Sequence, residues 1–206
     1  MSRTITLWLC SCLVILSLAL NGCGIEQTYN KKYYVLDVNR EQTNSTQAQG
    51  EKSLQVWRFT IDSSFGSRGL IYRTDEFSYE QDFYNEFIVS PASMITDKIR
   101  TWLSLSPCCQ DVLNPGTIID PSYILEGNVT ALYGDYRDKT APVAVMEIRI
   151  SLLQAKQDTD PAIIFSKTYR SSIALQNSGP EGLVAALDKC LVEILTNLEK
   201  DLADKL

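Results

Sequence analysis

The chain has 206 residues, of which 25 are acidic and 19 are basic, and it contains no histidine. A formal net charge of −6 without a basic stripe argues against nucleic-acid binding. The lack of histidine excludes Ser-His-Asp and Cys-His catalysis and removes the commonest metal ligand. We therefore expect no enzyme, no cofactor and no metal site.

The N-terminal segment has the pattern of a lipoprotein leader. Arg3 precedes an apolar run over residues 5–20, which is too short to span a bilayer and is typical of a secretory signal peptide. Gly22 directly before Cys23 resembles a bacterial lipobox, so we predict removal of residues 1–22 and acylation of Cys23. Three acyl chains would anchor the protein permanently, because two membrane signals already suffice. The alternatives are an ordinary cleaved leader or a short buried helix.

Residues 23–32 then form a lipidated polar tether, which would keep the folded domain close to the bilayer. The residue after the cysteine is Gly24 rather than the aspartate that typically retains lipoproteins at the inner membrane. We therefore expect attachment to the outer membrane, with the domain facing the periplasm.

The first half of the domain, which we place at residues 33–206, predicts three strands. They lie at Tyr33–Leu36, Ser53–Asp62 and Leu70–Arg73, and the last two are expected to form a hairpin. A mobile polar loop is expected between the first two. The second strand is apolar on both sides, which indicates an interior position in a sheet. Alternation puts one set of residues on one face and the rest on the other: Trp57, Phe59 and Ile61 against Leu54 and Val56.

A segment rich in aromatic and acidic residues follows, and a helix comes after it. The segment spans residues 76–87. Ser90-Pro91 is a helix start, with a capping hydroxyl before a proline that needs no N–H partner. Four apolar residues then share one helical face: Ile95, Ile99, Trp102 and Leu103. Pro107 ends this element, and residues 108–121 are expected to be irregular.

Three long strands and a final helix complete the chain. Short connections make the strands antiparallel neighbours. The first is expected to face the core with Tyr123, Leu125, Val129, Ala131 and Tyr133, and the second with Ala144, Met146, Ile148, Ile150 and Leu152. The helix opens at Ser178-Gly179-Pro180 and carries a long apolar stripe. Core packing is preferred for it, although a free amphipathic helix could bind a partner or a membrane surface. Its polar face suits solvent better than anionic lipid, since it carries acids as well as lysines: Asp188, Glu193, Glu199 and Asp201 with Lys189 and Lys200.

Three cysteines remain after Cys23, and their state is left open. A disulfide from the Cys108–Cys109 pair to Cys190 would close about 80 residues and stabilise the fold by about 4–5 kcal/mol. Cys190 is otherwise a small core residue on an apolar helix face. The sum of the elements is an α/β (α+β) fold, a single mixed, mostly antiparallel sheet with two helices packed on it.

The chain resembles the ABC-type transport auxiliary lipoproteins, which include the PqiC-like membrane-integrity subunits. The matching pieces are Tyr34-Val35-Leu36, Leu70-Ile71-Tyr72-Arg73, Pro91 with the helix ending near Trp102-Leu103, and the run from Tyr123 to Tyr136 followed by Ala141–Val145. The likeness covers residues 33–175. Phe87 stands where the family often carries tryptophan.

The resemblance implies a role rather than a reaction. Family members work with an ABC transporter and an MCE-domain protein, moving lipids or other hydrophobic molecules between membranes, and their fold resembles the N-terminal domain of TolB. The implied partners are therefore an MCE-domain protein, the transporter and, through the acyl group, a membrane. Self-association is left open.

Three functional interpretations follow. In the first, the domain is a docking module, and its candidate contacts are Phe77, Tyr79, Phe83 and Tyr84, although aromatic residues are equally common in cores. The second is an envelope hydrolase using Asp135 with Asp138 or Glu76 with Glu80, which are more often turn-forming acids. The third is an envelope scaffold for secretion or cell-wall synthesis.

Overall fold

A computed structural model describes residues 30–38, 40, 52–155 and 162–206. The predicted leader, Cys23 and nearly all of the predicted polar loop lie outside these residues. Within them the chain forms two α-helices, a short 3₁₀ turn at Ser63–Phe65 and nine strands of one sheet. The strands are β1 (Lys32–Tyr34), β2 (Ser53–Val56), β3 (Thr60–Ile61), β4 (Gly69–Arg73), β5 (Tyr79–Phe87), β6 (Asp111–Leu113), β7 (Tyr123–Asp135), β8 (Val143–Gln154) and β9 (Ala162–Ala174).

The long strand β7 organises the sheet. One of its edges pairs with β8 along its whole length, and β8 pairs with β9; both ladders are antiparallel, as predicted. Its other edge pairs in parallel with β2, β3 and β4 in turn. Strand β6 continues the sheet beyond β2, while β5 and β1 continue it beyond β4. The prediction of one mixed, mostly antiparallel sheet with two helices is confirmed.

Both helices pack on the same face of this sheet. Helix α1 spans Pro91–Ser104 and helix α2 spans Pro180–Ala203. Every residue of the two predicted apolar stripes is buried: Ile95, Ile99, Trp102 and Leu103 in α1, and Leu183, Leu187, Cys190, Leu191, Ile194, Leu198 and Leu202 in α2. The predicted inward set of β8 is entirely solvent-excluded, because strict alternation turns one face of that strand to the helices: Ala144, Met146, Ile148, Ile150 and Leu152.

The predicted faces of the second strand are wrong, because the strand is broken. Ladder pairing stops after Val56 and resumes at Thr60, and Phe59 thereby turns to the helix side, where it is buried beside Gly127. A Cβ on Gly127 would lie 2.3 Å from the Phe59 ring, so glycine is needed there. Trp57, predicted to share the face of Phe59, is about half exposed. The predicted hairpin is also wrong: β4 pairs antiparallel with β5.

A β-bulge corrects the predicted face of β7. The register shifts between Val129 and Ala131, which leaves Thr130 as the extra residue. Because one added residue reverses the alternation, Leu132 joins the helix-side core after the bulge. Ala131 and Tyr133 instead enter a second, smaller apolar cluster with Ile71 and Val145.

Of the two states left open for the cysteines, the structure shows the unbridged one: all three described cysteines are free and buried. Cys190 lies in the middle of α2, and its thiol is 3.6 Å from the carbonyl of Ala144 in β8. The Cys108 N–H donates to the Ser106 hydroxyl, and that hydroxyl donates to Glu199 at 2.7 Å. Glu199 lies on α2, the helix that also carries Cys190. Glu199 lies nine positions after Cys190 in the helix, about 13 Å along its axis, whereas the Cα atoms of a disulfide lie within about 7 Å of each other.

Two smaller predictions around α1 also change. Ser90 does precede the first turn, and its carbonyl accepts the Met94 N–H as the first helical hydrogen bond. Its hydroxyl, however, makes no capping bond. The predicted irregular segment after Pro107 contains β6, which pairs in parallel with β2.

Candidate partner-binding surface

The predicted aromatic contact segment forms the turn after β4 and then β5. The turn, residues 74–78, is closed by a hydrogen bond from the Thr74 N–H to the Ser78 carbonyl at 3.0 Å. Arg73 also stabilises the turn, because its guanidinium donates to the carbonyls of Asp75 and Glu76 at 3.3 and 2.7 Å. We call residues 73–79 the hairpin tip.

Phe77 lies at the hairpin tip with 88% of its surface exposed. An apolar ring of that size held in water on a hydrogen-bonded turn has the character of an interface anchor, because binding would bury it at little cost in chain entropy. Nothing in the local sequence distinguishes Phe77 from a core aromatic residue; its exposure follows from its place in the turn.

Tyr79, at the start of β5, is the second predicted contact residue of the tip. Its ring meets the rings of Phe65 and Tyr133 edge-on, with centroids 6.2 and 5.5 Å away. The Arg73 guanidinium lies 5.5 Å from its centroid. The ring is therefore positioned by packing on one side and remains about half exposed on the other. Sequence reasoning missed Phe65, Arg73 and Tyr133, the residues that position it.

A cleft opens beside the hairpin tip, on the side of the sheet that carries the helices. Its volume is about 560 Å³, and it is lined by Tyr72, Thr74, Glu80, Tyr136, Lys139 and Ser178. The Tyr72 and Tyr136 rings meet edge-on at 5.4 Å, and the Tyr136 hydroxyl donates to the Ser178 carbonyl at 3.1 Å. Burial, together with the hydrogen bond to Asp82, raises the pKa of Tyr72, so this hydroxyl stays protonated and donating.

Phe83 and Tyr84 lie in a different place from the tip. The β4–β5 register shifts between Gly69 and Ile71, so residues 82–85 bulge out of the ladder. The Asp82 carboxylate holds the bulge by accepting the N–H groups of Tyr84 and Asn85 at 2.8 and 2.9 Å. The structure thus divides the four predicted contact residues into two pairs. Phe87, at the end of the segment, is core.

The carboxylates considered for hydrolysis have structural partners or open surroundings. Arg137 binds Asp135 through two nitrogens, and this bond is the main reason that the pKa of Asp135 is lowered. Asp138 accepts the hydroxyl and the N–H of Thr140, which lower its pKa. Both acids therefore remain ionised and act as turn formers. Glu80 lines the cleft, and Glu76 contributes its carbonyl to the hairpin tip.

Comparison with known proteins identifies the family. The sequence profile described as "ABC-type transport auxiliary lipoprotein component" matches residues 34–198. The chain belongs to this family. It is therefore an auxiliary lipoprotein component of ABC-type transport. The family is a transport family and not an enzyme family. A search of curated proteins found no significant match.

Solved structures share the fold. A protein of Xanthomonas campestris from a domain family of unknown function superposes with a TM-score of 0.69 at 17% identity, covering 81% of this chain and 92% of that one. A second, uncharacterized protein superposes with a TM-score of 0.65 at 15% identity, covering 84% and 99%. At these identities the likeness establishes the fold alone. Over the described ranges, neither helix is long and apolar enough to cross a bilayer.

Proposed function

We propose that the protein is a lipid-anchored periplasmic subunit of an ABC/MCE-type envelope transport system. It docks the transporter at the outer membrane, where lipid or other hydrophobic molecules pass between membranes. The observation that carries the proposal is the family match over residues 34–198, which makes the chain an auxiliary component of ABC-type transport. The apolar leader and the Gly22-Cys23 sequence supply the anchor.

The partner, an MCE-domain protein, binds at the hairpin tip. Phe77 supplies an exposed anchor, Tyr79 supplies a half-exposed ring, and the neighbouring cleft can receive a side chain of the partner. Interfaces concentrate their binding energy in a few aromatic and arginine residues, and the tip offers Arg73 beside the Tyr79 ring.

The direct test is crosslinking in cells. A photoreactive amino acid at position 77 should capture the MCE-domain protein, identified by mass spectrometry. The same amino acid at position 118 is the matched control, because Ile118 is also almost fully exposed but lies far along the chain from the tip. Capture of a secretion or wall-synthesis protein at position 77 would instead favour the scaffold function.

Binding strength gives a second reading of the same surface. Phe77→Ala should weaken capture by about 30-fold, since an anchoring aromatic is worth about 2 kcal/mol at an interface. The melting temperature should stay unchanged because the ring is exposed. Unchanged capture would exclude Phe77 as the contact.

The anchor is tested separately. Cys23→Ser should abolish fatty-acid labelling and leave an unprocessed precursor, and undiminished label on that variant would contradict the proposal. Gly24→Asp should move the protein to the inner membrane in a cell that uses this sorting signal, as followed by membrane fractionation.

A further inference from the structure

Five exposed apolar side chains gather at the corner of the sheet where β1 lies beside β5. Tyr33 and Ile88 each expose about half of their surface, and Phe83 exposes 66%. Val35 follows β1 and Val89 follows Ile88, and both are about half exposed as well. Large apolar residues scattered singly over a surface need no explanation, but a contiguous group indicates a contact.

Charged side chains link three of these residues, Tyr33, Phe83 and Ile88, into one surface. The Arg68 guanidinium lies 5.9 Å from the Tyr33 ring centre and donates to the Ile88 carbonyl at 3.3 Å. It also pairs with Glu86, which pairs in turn with Lys31.

Lys31 completes the connection, since its ammonium lies 4.1 Å from the centre of the Phe83 ring. We call this group the β1-edge patch; it comprises Tyr33, Val35, Phe83, Ile88 and Val89, together with Lys31 and Arg68.

The patch lies close in sequence to the predicted lipid anchor at Cys23, and this indicates which surface contacts it. Lys31, a member of the patch, is the first residue of the folded unit, which runs to Leu206. Residues 24–30 separate it from Cys23, and a chain of that length spans at most about 27 Å. A folded unit of this size is about 40 Å across, judged from its radius of gyration. An anchor at Cys23 therefore holds the side around Lys31 near the bilayer, and the opposite side cannot replace it.

We propose that the β1-edge patch rests on the bilayer that holds the acyl anchor, with its aromatic and aliphatic side chains in the headgroup region. Tyrosine is favoured at that depth because its ring is apolar and its hydroxyl remains hydrated. The inference rests on the anchor in the proposed function. It adds a second, non-covalent contact that orients the domain and turns the hairpin tip toward a partner.

Charge contributes little to this contact. The cations Lys31, Lys32 and Arg68 stand against the carboxylates Glu86 and Glu181, each of which pairs with at least one of them. These charges nearly cancel, so attraction to an anionic leaflet adds little. The apolar side chains dominate, so the contact should persist in high salt.

The test uses the full chain, acylated by the cell and reconstituted in vesicles of phosphatidylethanolamine and phosphatidylglycerol. A photoactivatable phosphatidylethanolamine is included, and lipid adducts are mapped by mass spectrometry. Adducts should be several-fold more frequent in residues 31–35 and 83–89 than at Ile118 and Ile119, which are exposed apolar residues outside the patch.

A matched pair of variants sharpens the result. Tyr33→Ser combined with Ile88→Ser should reduce patch adducts several-fold, with the melting temperature and vesicle flotation unchanged. Ile118→Ser combined with Ile119→Ser should change none of the three readouts.

The outcomes that overturn the inference are adducts spread evenly over exposed apolar residues, or a patch that forms no more adducts than Ile118 and Ile119. The mass of the N-terminal peptide is read in the same sample. An unacylated Cys23 would contradict the anchor in the proposed function, whereas the adduct map decides the patch itself.

Discussion

The two faces of the sheet are built from the same strands but differ in burial and polarity. On the face covered by the helices, β8 contributes Ile148, Ile150 and Leu152, all fully excluded from solvent. On the other face, the intervening Glu147 and Arg149 lie among polar neighbours. Glu147 accepts the Thr130 hydroxyl at 2.7 Å and pairs with Arg170 at 2.9 Å.

The residues that stabilise this molecule and the residues available for binding lie on different surfaces of the sheet. The covered face holds the fold together through apolar burial, which is worth about 25 cal/mol per Å². Apart from a small buried cluster of Ile71, Ala131, Tyr133 and Val145, the other face and the sheet corners carry exposed rings and ion pairs, which contribute little to stability. They are therefore the places where a substitution can change binding without unfolding the domain.

The sharpest way to break the comparison is to substitute adjacent residues of one strand. Ile148→Ala should lower the free energy of unfolding by about 2–5 kcal/mol, because it leaves a cavity between the sheet and the helices. Arg149→Ala, one residue along and on the opposite face, should change it by no more than about 0.5 kcal/mol. Urea denaturation of both variants measures the difference. Equal losses would mean that the two faces are not energetically distinct.

This covered face was predictable where the sequence repeats with a strict period. The alternation in β8 and the stripe of α2 needed only a period of two and a period of 3.6 residues. The bulge at Thr130 and the break after Val56 were not predictable, because each depends on how neighbouring strands fit. Both errors reversed a face, since one residue of shift exchanges inside and outside.

The candidate site was predictable in composition but not in arrangement. The aromatic segment indicated an interface, yet one surface was expected, and the bulge held by Asp82 places Phe77 and Phe83 apart. An aspartate that accepts N–H groups two and three residues on is a recognisable turn signal, so the bulge itself could have been suspected.

A polar network at the covered face gives the next largest effect. Glu199 of α2, expected to face solvent, accepts two bonds from Arg40 and one each from the Trp102 indole and the Ser106 hydroxyl. The Arg40 and Glu199 side chains are only 11% and 19% exposed. No sequence pattern indicates this pair, because its members lie 159 residues apart.

Glu199→Ala should lower the free energy of unfolding by about 3 kcal/mol, since it leaves Arg40 charged and unpaired in a largely buried place. Glu199→Gln, which keeps an acceptor, should lose less. Asp97→Ala is the control: its bond to Arg100 is an exposed helical pair, worth about 0.3–0.5 kcal/mol. Thermal melts at one pH compare the three variants. A loss no larger than that of Asp97→Ala would place Glu199 among the solvated acids.

Asp188 on α2 offers a smaller effect with a defined pH dependence. Burial raises the pKa of this carboxyl to about 6, aided by the Asp37 charge and opposed by the Asp37 N–H that it accepts and by Lys98. The unfolded chain has a pKa near 3.9. The folded state therefore binds the proton more tightly, and stability falls as the pH rises from about 4 to about 6.

Asp188→Asn keeps the acceptor for the Asp37 N–H and removes the charge. It should be more stable than the wild type by about 1 kcal/mol at pH 7, a value reduced for solvent screening because the group is only half-buried. The gain should vanish below about pH 4. Asp97→Asn serves as the exposed control. A gain that is constant across the pH range would exclude titration of Asp188 as its cause.

The smallest effect concerns the ion pair on the polar face. The Arg170 and Glu147 side chains are 55% and 25% exposed, and solvent screens such a pair strongly. A double-mutant cycle with Arg170→Ala and Glu147→Ala should give a coupling energy below about 1 kcal/mol, which decreases further in high salt. The Thr130 hydroxyl, followed by Arg170, lowers the pKa of Glu147, so the coupling should be present at neutral pH. It should be lost as the pH falls through that lowered pKa, when the carboxyl becomes neutral. A coupling of several kcal/mol that resists salt would show that this face is desolvated by a neighbour, and it would end the distinction between the two faces.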